Sequence, residues 1–155
     1  MDPITINNIK NSILSNLCFT IATVDPNGKP SATPLFFASD ENFKNFYWVS
    51  AHDSHHSTNI ETNPSISVVA FNSSANHGIY MSGSAKMLTD LDKIKNADDL
   101  MKSKLKIKDG RQPEYYCAPN PRRMYEFTYD KIWINIRTFC QNQLVDERFE
   151  EINTI

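Results

Sequence analysis

Between residues 18 and 88 the sequence holds five strand-like runs and only one helix-length segment, and that arrangement limits the folds open to it. The runs are 18–24 (CFTIATV), 29–38 (KPSATPLFFA), 46–50 (FYWVS), 66–71 (ISVVAF) and 78–88 (GIYMSGSAKML). All are rich in β-branched and aromatic side chains. Most of the connections between them are far shorter than the crossover that parallel neighbours need. Asp25-Pro26-Asn27-Gly28 is a turn signal, with proline at the second position and glycine free to take a positive φ. The expected fold is therefore mainly β, an antiparallel split barrel with peripheral helices and not a βαβ sheet.

The remaining segments fit around that barrel. Ile6, Ile9, Ile13 and Leu17 share one helical face, which predicts an N-terminal helix over 1–17. A short helix is expected over 54–63, capped by Asp53 or Ser54 and stopped before Pro64. The charged stretch 90–107 reads as one or two surface helices with a solvated face, and 112–121 as an irregular loop. Residues 123–129 and 131–136 read as a closing hairpin joined near Asp130. Pro34 should lie at a sheet edge or bulge, and Gly83 at a bulge or a close backbone approach. One domain covers 1–155, with the helix at 1–17 and the barrel core at 18–88. A helical insert and loop follow at 90–120, then the hairpin at 121–137 and an extended acidic tail at 138–155, mobile or laid on a partner subunit.

Composition matters mainly for what it excludes. A net charge of −2 supplies no general field for nucleic acid or an anionic membrane. No apolar run is long enough to span a bilayer or to read as a signal peptide. Cys18, Cys117 and Cys140 form no CxxC pair, which fits free thiols in a reducing cytoplasm.

The stretch 46–59, FYWVSAHDSHHSTN, carries the functional signal. An aromatic strand runs through a polar turn into a helix start bearing hydroxyls and imidazoles, a suitable place for a phosphate. His52, His55 and His56 also admit a zinc reading, although no fourth ligand lies nearby in sequence. Trp48 fits either a core aromatic or a ring that stacks on a ligand.

These segments together resemble the pyridoxamine phosphate oxidase-like split barrels that bind FMN. The resemblance covers about residues 17–88 and, more weakly, 123–136. Its most specific part is Ser54-His55-His56-Ser57-Thr58-Asn59-Ile60 with Pro64 beyond, where family members commonly read Ser-Arg-Lys-x-x-Asn-aliphatic. The resemblance implies FMN as cofactor, with NADH or NADPH as a possible electron donor to an unidentified small-molecule substrate. It also implies a homodimer with cofactor sites at the interface. It assigns Ser54, His55 and His56 to the phosphate, and Trp48, Val49 and Ser50 to the ribityl chain and ring. Thr33, Pro34 and Leu35 fall at the ring edge, and Trp133 in a region that often closes the partner's site. No catalytic side chain is needed, because the chemistry belongs to the flavin.

His-His in place of Arg-Lys exchanges a permanent bidentate charge for a pH-dependent one. FMN affinity is then expected to fall as pH rises through the histidine pKa, with Arg122, Arg123 or Lys29 as candidates for the missing charge. After Trp133 there is no histidine to match the substrate-gripping arginine–histidine segment of authentic pyridoxamine phosphate oxidases. The resemblance therefore implies a general stress-type flavoprotein or small reductase, with a deazaflavin as a variant cofactor. The alternative is a non-catalytic flavin- or haem-binding barrel, with His77 or the His52–His56 group as axial ligand.

Overall fold

The computed structural model describes residues 8, 11–13, 15–72, 77–140 and 143–150, from residue 136 onward as backbone only. Strands β1 (Cys18–Val24), β2 (Pro30–Phe36), β3 (Ala38–Ser39) and β4 (Asn45–Ala51) come first. Helix α1 (His55–Thr62) follows, then β5 (Ser65–Asn72), β6 (His77–Met87) and helix α2 (Leu91–Leu105). A 3-10 turn (Pro113–Tyr116) leads into β7 (Arg122–Cys140) and β8 (Gln143–Glu150). All pairings are antiparallel, in the order β2-β1-β5-β6-β7-β4-β3 with β8 beside β7.

The strand alternation sets the core. Phe46, Trp48 and Ser50 of β4 point inward, while Tyr47, Val49 and Ala51 point away. Ile21, Trp48, Val68, Ile79, Phe127 and Ile132 are fully enclosed. Trp48 stacks on Tyr125 at 5.5 Å and 12° and meets Phe19 edge-on at 5.9 Å. Gly28 closes the first hairpin at φ 82, donating its N–H to the Asp25 carbonyl. Pro34 lies on β2, which ends the sheet path, so its missing donor costs no pairing there.

Three sequence expectations change. Residues 123–136 are not a hairpin, because β7 runs unbroken past Asp130 and pairs with β6 along both halves. The register shifts between Ser82 and Gly83, which face Lys131 and Tyr129, so Asp130 is the extra residue of a bulge. A polar aspartate between two strand runs suits a turn or a bulge equally in sequence. Of the expected tail, residues 138–140 complete β7, and 143–150 form β8, which pairs antiparallel with it. Residues 8 and 11–13 are helical, but Leu17 is 52% exposed and off the buried face that Ile13 occupies. The rest of the expected N-terminal helix lies outside the described residues.

Gly83 shows why the bulge needs its sequence. A Cβ there would collide with the Thr128 carbonyl oxygen and lie 2.6 Å from Tyr129 Cα. Both are backbone atoms of the neighbouring strand, which cannot turn aside. Gly83→Ala is expected to destabilise the barrel by about 1–3 kcal/mol, read from the midpoint of urea unfolding.

Helix α2 starts at Asp90, whose carboxylate accepts from the Lys93 N–H at 2.9 Å, and carries Lys102 and Lys104 in its last turn. Its buried face is Ile94, Ala97, Asp98 and Met101. Ile94 and Ala97 pack with Leu88, Tyr116 and Met124, and the outward side chains Tyr47 and Val49 of β4 join this second cluster. No described helix is long and apolar enough to cross a membrane.

Candidate functional site

Between the sheet and α2 lies a cavity of about 580 Å³. Its sheet wall is Pro34, Leu35 and Phe36 of β2 with Val49 of β4. Its helical wall includes Met101 and Leu105, and the loop after α2 adds Arg111, Tyr115 and Tyr116. Arg122 stands at the start of β7, in register with Ala51 at the end of β4. The His52 N–H donates to the Pro121 carbonyl at 2.9 Å, so the Arg122 end of the cavity adjoins the turn that leads into α1.

The loop wall is held by charge. Asp98, 3% exposed, accepts from the Tyr116 hydroxyl at 2.5 Å and pairs with Lys102 Nζ at 2.6 Å. Lys102 also reaches Asp109 at 3.3 Å, and Asp109 pairs with Arg111 at 2.6 Å. Arg111 lies over the Tyr115 ring at 5.0 Å. Hydrogen bonding to Arg111 holds the Asp109 carboxyl below its ordinary value, and the Asp98 partner raises Lys102. Burial, then the bond to Asp98, pushes the Tyr116 phenol up. These two aspartates balance Lys102 and Arg111, which leaves Arg122 as the uncompensated charge of the lining. Its guanidinium makes no hydrogen bond or ion pair to a described residue. Arg123 instead donates to the Asn120 and Arg122 carbonyls, and Lys29 stands exposed on the β1–β2 turn.

The residues expected around a phosphate divide into two sets. Ser54 is the N-cap of α1, but its hydroxyl donates to Ser57 Oγ at 2.8 Å and caps no backbone amide. The first-turn amides therefore have no side-chain acceptor. His55 is exposed beside them. His56 turns inward, with Nε2 2.7 Å from Ser50 Oγ and 3.2 Å from Ser54 Oγ. Burial and then the neighbouring His55 lower its pKa. Any histidine-dependent FMN affinity thus rests on His55, since His56 is engaged from within.

The lowered pKa also fixes a sign. A histidine that resists protonation when folded binds more protons when unfolded, so stability is complete above the ordinary histidine pKa of about 6.5 and is lost as pH falls below it. Thermal melts between pH 8 and pH 5 are expected to show this loss in the wild type. His56→Gln should flatten that part of the curve, and parallel curves would remove His56 as its source.

Of the other expected residues, Pro34, Leu35 and Val49 meet at the cavity, whereas Thr33 is half-buried in register with Ile21 and does not line it. Trp48 and Ser50 belong to the interior. Trp133 pairs with Tyr80 on the far half of β7 and is not in the lining. Among the described residues no group of three His, Cys, Asp or Glu side chains is placed to hold a metal ion. Asp98, Arg111, Tyr115 and Tyr116 were not expected at a site. The one sequence signal for Asp98 was its place among Ile94, Ala97 and Met101 on a single helical face.

The model of the pyridoxamine 5'-phosphate oxidase family matches residues 7–135. No curated protein matches the sequence at a significant level. Among solved structures, the chain is similar to a Clostridium acetobutylicum protein related to general stress protein 26 of Bacillus subtilis, of the pyridoxinephosphate oxidase family. That likeness has a TM-score of 0.67 at 14% identity, over 97% of this chain and 96% of the other. Campylobacter jejuni ChuZ aligns with a TM-score of 0.70 at 14% identity, over 93% of this chain and 62% of its own. An F420 reductase aligns at 0.59 and 17%, over 79% of this chain and 94% of its own. At such identities these three show a shared fold.

Proposed function

The chain belongs to the pyridoxamine 5'-phosphate oxidase family, and on that premise we propose that it is an FMN-binding oxidoreductase. In this reading the flavin occupies the cavity between β2, β4 and α2, and a nicotinamide donor and a small molecule exchange hydride through it. The observation that carries the reading is the meeting of Pro34, Leu35 and Val49 with Arg122, whose guanidinium has no partner among the described residues, around one cavity of about 580 Å³. An F420 reductase of the same fold supports a flavin-like ligand. No histidine lines the cavity, which favours a flavin over haem among its possible occupants.

The residues present fit an FMN in distinct ways. Arg122 and the uncapped first turn of α1 offer a permanent cation and backbone N–H donors to the phosphate, with exposed His55 beside them. The β2 edge offers backbone groups and apolar side chains to the ring. Tyr115, Tyr116 and Met101 line the opposite side. A bound flavin would supply hydride transfer at N5, and the chain would bind, orient and shield it. Ser54 and His56 hold the helix start in place through the chain of contacts Ser50–His56–Ser54–Ser57.

The reading carries a homodimer, with Trp133 assigned to the site of the second copy. Sedimentation at equilibrium should give twice the chain mass. The function itself is tested by adding FMN to purified protein and following quenching of flavin fluorescence. Saturable quenching, then anaerobic bleaching of the flavin absorbance by NADH or NADPH, is the expected result. Absence of binding would overturn the reading. Binding without bleaching by either nucleotide would reduce it to a non-catalytic flavoprotein.

A further inference from the structure

Three of the five large apolar side chains that stand exposed among the described residues gather in one place. Leu17, Phe36 and Ile107, with Leu105 behind them, wall a groove of about 490 Å³. Lys104 and Lys106 line the same groove, and no acidic side chain does. Lys104 Nζ lies 3.3 Å from the centre of the Phe37 ring, enclosed and without a hydrogen-bond partner. A ring face satisfies part of a cation's charge. It leaves the ammonium's N–H donors without an acceptor, which is costly for a buried group. Burial accordingly pushes this amine down to about 8.

The order of these groups is informative. At a membrane-binding face, lysines stay at the headgroup level and apolar side chains go deeper. Here Leu17, Phe36 and Ile107 stand exposed beside an exposed Lys106, whereas the Lys104 ammonium is enclosed against Phe37. A ligand that satisfies both must enter with its anionic end first and leave an apolar chain against Leu17, Phe36 and Ile107.

We infer that this groove is a binding site for a free amphipathic carboxylate, its head group accepting from Lys104 and Lys106 and its chain covering Leu17, Phe36 and Ile107. The site is separate from the flavin reading, although Phe36, Leu105 and Ile107 also border the larger cavity. A ligand in the groove would therefore lie against that cavity's wall.

Calorimetric titration of the full chain with decanoate, below its micelle-forming concentration, tests the inference. One equivalent should bind, and affinity should weaken by about fourfold for each methylene removed towards hexanoate. Decanol should bind at least tenfold more weakly than decanoate. Lys104→Met, which keeps the length of the stem, should lose roughly tenfold for decanoate while FMN titrates as in the wild type. The chain-length and head-group series use the wild type, so they stand even if a variant folds poorly. No decanoate binding, or equal binding of decanol, would overturn the inference. So would binding to phosphatidylglycerol vesicles in place of decanoate. Dissociation of a dimer by Phe36→Ser would also overturn it, by showing that a second copy covers the groove.

Discussion

Asp98→Ala is expected to lower stability by about 3–5 kcal/mol, a fall in Tm on the order of 10 °C for a domain of this size. The residue is 3% exposed and serves two partners at once, the Tyr116 hydroxyl and the Lys102 ammonium. Its removal strands a buried phenol and leaves Lys102 with Asp109 at 3.3 Å as its remaining ion pair. The loss also undoes the join between α2 and the 3-10 turn, and so the far wall of the cavity. Tyr116→Phe removes one hydrogen bond to the carboxylate and keeps the ion pair, so it should cost less, about 1.5–3 kcal/mol. The double variant should be less destabilised than the sum of the singles, because both act on one network. Urea unfolding of the four proteins measures this. Additive losses, or a small effect of Asp98→Ala alone, would show that helix and loop dock independently of the pair.

Arg122→Gln is expected to weaken FMN by about 10- to 100-fold, the loss of a charge-assisted contact to a phosphate. Riboflavin, which has the same ring and ribityl chain but no phosphate, should bind the variant as it binds the wild type. Arg122→Lys should fall between, since it keeps the charge and loses the bidentate fork. The contrast between the two flavins separates a phosphate contact from a general loss of the cavity. Equal weakening of both would place Arg122 at the ring, and no weakening of either would remove it from the site. Arg123 offers an internal control, because its guanidinium is already spent on the Asn120 and Arg122 carbonyls. Arg123→Gln should leave the ratio of FMN to riboflavin affinity unchanged.

Much of the barrel is legible in the sequence. Short turns between β-rich runs force antiparallel neighbours, and both Gly28 and Gly83 stand where the backbone demands glycine. Where the reading failed, local signals were ambiguous. Asp130 suits a turn and a bulge equally, and only the partner strand β6, running past it on both sides, distinguishes them. Leu17 continues an apolar helical spacing, yet the chain has left the helix by then.

At the site the division is sharper. The stretch 46–59 established a strand, a turn and a helix start at Asp53 or Ser54, because those depend on neighbours a few residues apart. Trp48, Val49 and Ser50 were all expected along one ligand, but a strand alternates its side chains, so only Val49 reaches the cavity. Which face of β4 looks inward depends on the sheet that closes around it. The same holds for the charges. Sequence showed His55 and His56 as a pair and Arg122, Arg123 and Lys29 as equal candidates. Their roles depend on which hydroxyl, carbonyl or cavity lies opposite, and that is set by how the side chains turn in the folded chain. Asp98 follows the same rule: local spacing put it on the buried face of α2, but only Tyr116 and Lys102 make that burial tolerable.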